Sequence, residues 1–119
     1  MRRDPRAYLA DIIDACEAVT RFVMGRDYAS YLSDEMLRSA VERQLEIIGE
    51  ALNRLRQTDA DLSARVPDSP AIIGFRNVLI HGYDIVDQEV VWRTVVNDVP
   101  RLARSAAGLL ADLGDLDAR

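Results

Sequence analysis

The chain has no lysine: all 15 of its basic residues are arginine. Two readings of that bias stand side by side, a GC-rich coding sequence and a use for bidentate guanidinium–phosphate contacts. A single cysteine, Cys16, excludes an intrachain disulfide and makes a reducing, cytoplasmic interior the expected location. No apolar run approaches the ~18 residues of a bilayer span, and Met1-Arg2-Arg3-Asp4-Pro5 is followed by no apolar signal core. No alternating strand pattern and no Asn-Gly or Asp-Gly hairpin signal occurs, which argues against a β fold. A formal charge of −5 argues against a protein that coats nucleic acid non-specifically, though a small site with a few arginines remains compatible with it. Histidine is limited to one residue, His81.

What is present is helical periodicity. A length of 119 residues predicts one domain, residues 1–119, large enough to bury one modest core. Asp4-Pro5 starts a helix, with Asp4 as N-cap and Pro5 at the first helical position. Tyr8, Leu9, Ile12, Ile13, Cys16, Val19, Phe22 and Val23 form its apolar stripe, which ends near Gly25. Ser33-Asp34-Glu35 reads as the next start, with Ser33 as cap and acids in the first turn. Met36, Leu37, Ala40, Val41, Leu45, Ile48, Leu52 and Leu55 carry that helix to about Arg56. Its polar side repeats Arg38, Glu42, Glu46 and Glu50 four residues apart. Glutamates so spaced repel by a few tenths of a kcal/mol per pair. They are therefore expected either to meet arginines from elsewhere or to form a solvated face. A carboxylate metal site is disfavoured, because the helix has no histidine for a Glu-x-x-His pattern.

Thr58 to Val66 reads as a short connecting helix stopped by Pro67. Ser69-Pro70 starts a further helix, Ala71 to His81, which ends at Gly82. Asp87 can cap the last helix, whose stripe is Val91, Val95, Val99, Leu102, Ala106, Leu109 and Leu113. Pro100 lies inside that stripe and should bend or divide the helix. The expected fold is all-α, an up-and-down four-helix bundle with a short extra connecting helix.

The chemistry concentrates in Gly74-Phe75-Arg76-Asn77-Val78-Leu79-Ile80-His81-Gly82-Tyr83. Histidine titrates near neutral pH and is suited to moving protons. On an ideal helix Asn77 and His81 lie nearly above one another, whereas Arg76 is about 140° from His81. One reading makes His81 a helix C-cap, with Tyr83 packed back on Val78. That reading leaves Arg76 and Asn77 unexplained among Ile72, Ile73, Phe75, Val78, Leu79 and Ile80, where polar groups need partners.

The stretch resembles the Arg-x4-6-His signature of the HEPN superfamily, and Arg76-x4-His81-x-Tyr83 is similar to the Arg-x4-His-x-Tyr motif of HepT toxins. Glu46-Ile47-Ile48-Gly49-Glu50-Ala51, Trp92 and Asp98-Val99-Pro100-Arg101-Leu102 look like that family's pattern as well, so the resemblance covers nearly the whole chain. Gly82 departs from it, standing where many relatives carry glutamate. The resemblance implies an HEPN-like homodimer and metal-independent RNase activity, as the toxin of a type VII toxin–antitoxin system. It implies an MntA-like minimal nucleotidyltransferase antitoxin as partner, which transfers AMP onto Tyr83. It calls for no metal and no cofactor, and for RNA as substrate.

Metal-free RNA cleavage needs a base for the 2′-hydroxyl, an acid for the leaving 5′-oxygen and positive charge at the phosphorus oxygens. One chain has one histidine, so a two-fold dimer with His81 near its axis is expected to supply two, plus two Arg76 guanidiniums. Asn77 would orient the histidine or the phosphate. The alternatives are a non-catalytic HEPN module that binds a nucleotide or a partner, and a purely structural helical dimer.

Overall fold

A computed structural model of the chain describes residues 3–67, 72–74, 77 and 86–114. Every regular element among them is helical. The first, α1, is Pro5–Val23, with Asp4 as N-cap accepting from the Arg6 amide and Pro5 at the first position. A short helix that periodicity does not reveal, α2, is Tyr28–Ser33. It opens on a reciprocal cap: the Ser30 amide donates to Asp27 Oδ1 at 2.9 Å, and the Asp27 amide donates to Ser30 Oγ at 3.1 Å. Ser33 is therefore the end of α2 and not, as expected from the sequence, the cap of the long helix. That cap is Asp34, whose Oδ1 accepts from the Leu37 amide at 3.0 Å and so starts α3, Glu35–Thr58. The backbone runs from one helix to the next through one residue, which places two acceptors near the same turn; the carboxylate takes it.

The connecting helix α4 is Ala60–Ala64, shorter than Thr58–Val66 and capped by Asp59. Residues 72–74 and 77 are helical, within the expected Ala71–His81 helix; its remaining residues and the Ser69 cap lie outside the described residues. The last helical stretch starts with α5, Gln88–Arg93, passes through a π turn at Thr94–Asp98 and continues as α6, Val99–Leu113. Pro100 has no amide hydrogen and its ring would crowd the carbonyl four residues back. The π turn, closed by the Val99 amide donating to the Thr94 carbonyl, is how the helix takes up that ring without ending.

Helix α1 lies between α3 and α6 and packs extensively on both. Arg26, just past the end of α1, pairs with Asp34, the cap of α3, at 3.3 Å. Tyr8 and Asp11, near the start of α1, share a groove with α3 residues from Arg43 to Arg54, so the two helices run in opposite directions. Helix α6 also opposes α1: Arg6 Nη1 donates to the Gly114 carbonyl at 3.3 Å, joining the start of one to the end of the other. Arg6 is only 8% exposed, and Asp4 holds its guanidinium through Nη2 at 2.5 Å and Nε at 3.1 Å. A buried arginine needs such pairing.

The core joins Leu9, Ile12, Cys16 and Val19 with Val41, Leu45, Ile48, Leu52 and Leu55, and with Val91, Val95, Val99, Leu102 and Ala106. These are the stripes read from periodicity, each large side chain contributing about 1.5–3 kcal/mol by burial. Two members of those stripes depart. Met36 is 82% exposed while its neighbour Leu37, in the same first turn of α3, is buried in the core, and Leu113 is 43% exposed at the far end of α6. Cys16 is buried and its thiol is pushed up to about 12 by desolvation first, with Glu17 adding to the shift.

Candidate functional site

Described residues on both sides of the sequence motif pack on the core. On its N-terminal side Ile72 and Ile73 are buried members of the core, and Gly74 is exposed. Asn77 is helical and exposed. Arg76, His81 and Tyr83, the other residues picked out from the sequence, lie outside the described residues. The described chain resumes at Val86, which packs partly buried against the core. Asp87 then caps α5, its Oδ1 accepting from the Glu89 amide at 3.0 Å and the Val90 amide at 3.4 Å. Asp87 in this role is what the sequence predicted.

Gln88 adds a tie that the sequence does not announce. Its Oε1 accepts from the hydroxyl of Tyr31 at 2.5 Å, across 57 residues of chain. Tyr31 is fully buried, and its hydroxyl pKa is raised, chiefly by that burial and secondarily by Glu42. Glu42 faces the same contact; its carboxyl is raised above the ordinary value, by desolvation first, with Arg38 opposing, Glu46 adding and Gln88 opposing. The first turn of α5 is thus tied to α2 by a hydrogen bond from a buried hydroxyl. Trp92, one turn further, packs against both rings in tilted geometry, with ring centroids 5.1 Å from Tyr31 and 6.4 Å from Tyr28. The reciprocal Asp27–Ser30 cap was the sequence signal that could have located α2 and, with it, the two tyrosines.

The second stretch that the resemblance rested on, Glu46 to Ala51, is on α3. Glu46, Ile47, Glu50 and Ala51 line a groove of about 440 Å³ with Arg3, Tyr8, Asp11, Arg43 and Arg54. Its charges pair locally. Arg43 Nη1 is 3.3 Å from Glu46, Arg54 Nε is 2.8 Å from Glu50, and Arg3 Nη1 is 2.7 Å from Asp11 while its guanidinium covers the Tyr8 ring at 4.9 Å. Glu46 and Glu50 therefore meet arginines of their own helix, where contacts from other elements had been one of the two expectations. Spacing of three and four residues makes these pairs local, so they relieve the glutamate repulsion without tertiary help. The groove's three arginines face three carboxylates, a balanced charge that gives a phosphate no net attraction. Among the described residues no group of three or more histidine, cysteine, aspartate or glutamate side chains is placed to hold a metal ion.

Residues 12–107 match the family model described as ribonuclease HepT-like. The chain belongs to the HepT-like ribonuclease family. The matched span includes Arg76, Asn77, His81 and Tyr83 together with Glu46 to Ala51 and Trp92. A provisionally named RNase of Methanocaldococcus jannaschii is 37% identical over 105 residues, covering 87% of this chain and 94% of that protein. A protein of Thermococcus cleftensis named as a probable ribonuclease HepT is 36% identical over 102 residues, covering 86% and 92%. A provisionally named RNase of Caldanaerobacter subterraneus subsp. tengcongensis is 33% identical over 108 residues, covering 91% and 96%. No solved structure matches the chain. The HepT resemblance seen in the motif residues is thereby established at the level of the family. Its helical fold agrees with that assignment, and no helix among the described residues is long and apolar enough to cross a membrane.

Proposed function

We propose that this HepT-like chain is an endoribonuclease that cuts RNA by metal-independent transesterification at a site shared by two copies. The observation that carries the reading is a family match spanning residues 12–107, and so the whole Arg76–Tyr83 motif, together with relatives that carry ribonuclease names. In the step, the 2′-oxygen attacks phosphorus and the bond to the 5′-oxygen breaks. The 2′-hydroxyl proton goes to a base and the leaving 5′-oxygen takes one from an acid, giving a 2′,3′-cyclic phosphate and a 5′-hydroxyl. His81 of one copy serves as base and His81 of the other as acid. Arg76 clamps the phosphate oxygens on which charge develops, and Asn77, exposed on its helix, orients the histidine or the phosphate.

The biological setting that goes with this reading is a type VII toxin–antitoxin pair. The chain is the toxin, and an MntA-like minimal nucleotidyltransferase is the antitoxin, which adds AMP to Tyr83. An adenosine phosphate two residues from His81 competes with RNA through charge and volume. Purified protein should cleave RNA in excess EDTA, whereas His81→Ala and Arg76→Ala should be inactive yet retain the dimer in sedimentation. Full activity of His81→Ala overturns the mechanism. AMP-sized mass additions on Tyr83 after co-expression with the antitoxin are expected; an unmodified Tyr83 in protein that the antitoxin has silenced counts against that mode of control.

A non-catalytic module that binds a nucleotide or a nucleotidyltransferase is the second reading. The net charge of −5 favours it, since RNA must approach a negative protein. The EDTA assay separates the two: this reading predicts no cleavage by the unmodified dimer.

A further inference from the structure

We infer that the hollow beside Trp92 is a stacking subsite for one unpaired RNA base, with Arg93 on the adjoining phosphate; the inference rests on the ribonuclease reading and extends it to substrate binding. The hollow, about 290 Å³, is lined by Tyr28, Glu89, Trp92 and Arg93. Its aromatic wall is built in advance. Trp92 and Tyr28 are each partly exposed, their ring centroids 6.4 Å apart and their planes at 51°. Behind them Tyr31 is fully buried, 5.1 Å from Trp92 and 6.5 Å from Tyr28, and its hydroxyl is held by Gln88. An aromatic surface fixed from behind and open in front stacks a base with little ordering cost, and base–aromatic stacking is tolerant of sequence.

The charged members of the lining select the occupant. Arg93 is exposed and lines the hollow, and its Nε donates to the Glu89 carbonyl at 3.4 Å. The Glu89 carboxylate disfavours a phosphate inside the hollow while accepting from an N–H on a base edge. The combination suits a neutral base within and a phosphate at the Arg93 edge. Position supports a role in substrate binding: Glu89 lies six residues beyond Tyr83 in sequence, in the turn of α5 that the Asp87 cap starts. In a protein with net charge −5, stacking supplies affinity that long-range electrostatics does not.

Trp92 is the chain's only tryptophan, so its fluorescence reports on the subsite directly. The test titrates the full-length protein with a short 2′-O-methyl oligoribonucleotide, which cannot be cleaved, following Trp emission and the anisotropy of a labelled copy. Quenching in step with binding is expected, with affinity lowered by roughly 5- to 100-fold in Trp92→Leu and largely retained in Trp92→Phe. Arg93→Ala, an exposed position, should reduce the slope of log K against log salt by about 0.7, and it carries the test if Trp92→Leu does not fold. Binding that saturates with unchanged Trp emission, unchanged affinity in Trp92→Leu or an unchanged salt slope in Arg93→Ala overturns the subsite, as does the absence of oligonucleotide binding. The cleavage assay in EDTA keeps the two readings apart. Cleavage without a Trp92 response removes the subsite alone; quenching without cleavage removes the ribonuclease reading alone.

Discussion

Replacing Tyr31 by Phe and Gln88 by Leu, singly and together, measures how firmly the exit of the motif segment is tied to the core. The Tyr31 hydroxyl donates to Gln88 at 2.5 Å, and the ring is fully buried. Tyr31→Phe removes the donor and leaves Gln88, which is partly exposed, able to turn to water, so the loss is about 1 kcal/mol. Gln88→Leu is the harsher change, because it strands the buried phenol, a cost of about 1–3 kcal/mol. With both partners gone the phenol penalty disappears, so the double variant should be more stable than the sum of the singles by at least ~0.5 kcal/mol. Urea unfolding read by Trp92 emission suits the purpose, since that ring packs on Tyr31. At a slope of about 2 kcal/mol/M, the Tyr31→Phe change shifts the midpoint by about 0.5 M. Additive effects, or Gln88→Leu costing no more than Tyr31→Phe, would refute the argument that this bond is a buried, mutually dependent pair.

Other perturbations test other parts of the same structure. Asp87→Ala removes the cap of α5 and should destabilise by about 0.5–2 kcal/mol, with asparagine at that position restoring most of it in the same melts. The raised carboxyl of Glu42 works against folding once ionised. Its folded pKa lies above the unfolded one, so stability falls as pH rises through that interval. Glu42→Gln should therefore raise the urea midpoint at pH 7 and change it little at a pH well below the ordinary glutamate value. Asp4, Asp27 and Asp34 have the opposite sign: backbone hydrogen bonds lower each carboxyl, and their contribution, present above the unfolded pKa, is lost as pH falls through the folded one. Acid titration by circular dichroism should show that loss, and Asp34→Asn should blunt it. Cys16, fully buried with its thiol pushed up to about 12, should react with iodoacetamide only in denaturant; rapid modification of the folded protein would contradict the packing of α1 against α3 and α6.

Much of this molecule was legible without coordinates because its causes are local. Caps at Asp4 and Asp87 and the stripes from Leu9 to Val19, Val41 to Leu55 and Val91 to Leu109 depend on neighbours within about one helical turn, and the sequence states those neighbours. The motif from Arg76 to Tyr83 was legible in the same way, as spacing. Helix α2 was missed because six residues are too few for periodicity to speak, and the Asp27–Ser30 cap was the clue left unused. The choice between Ser33 and Asp34 turned on where α2 ends, and so was missed along with it.

By itself, then, the sequence determined that the chain is helical, which faces are buried, that the HepT-like motif is carried whole, and that one histidine per chain calls for a second copy if the chemistry is to be symmetric acid–base catalysis. Tertiary structure decided what periodicity cannot express. It set α1 between α3 and α6, absorbed Pro100 in a π turn, and left Met36 in solvent. It also brought Tyr31 to Gln88 across 57 residues, with Tyr28 and Trp92 gathered around them. The physical reason is the range of the interactions. Propensity, capping and same-helix ion pairs act over three or four residues of one stretch of chain, whereas a buried hydroxyl or an aromatic cluster is defined only by what the fold brings beside it.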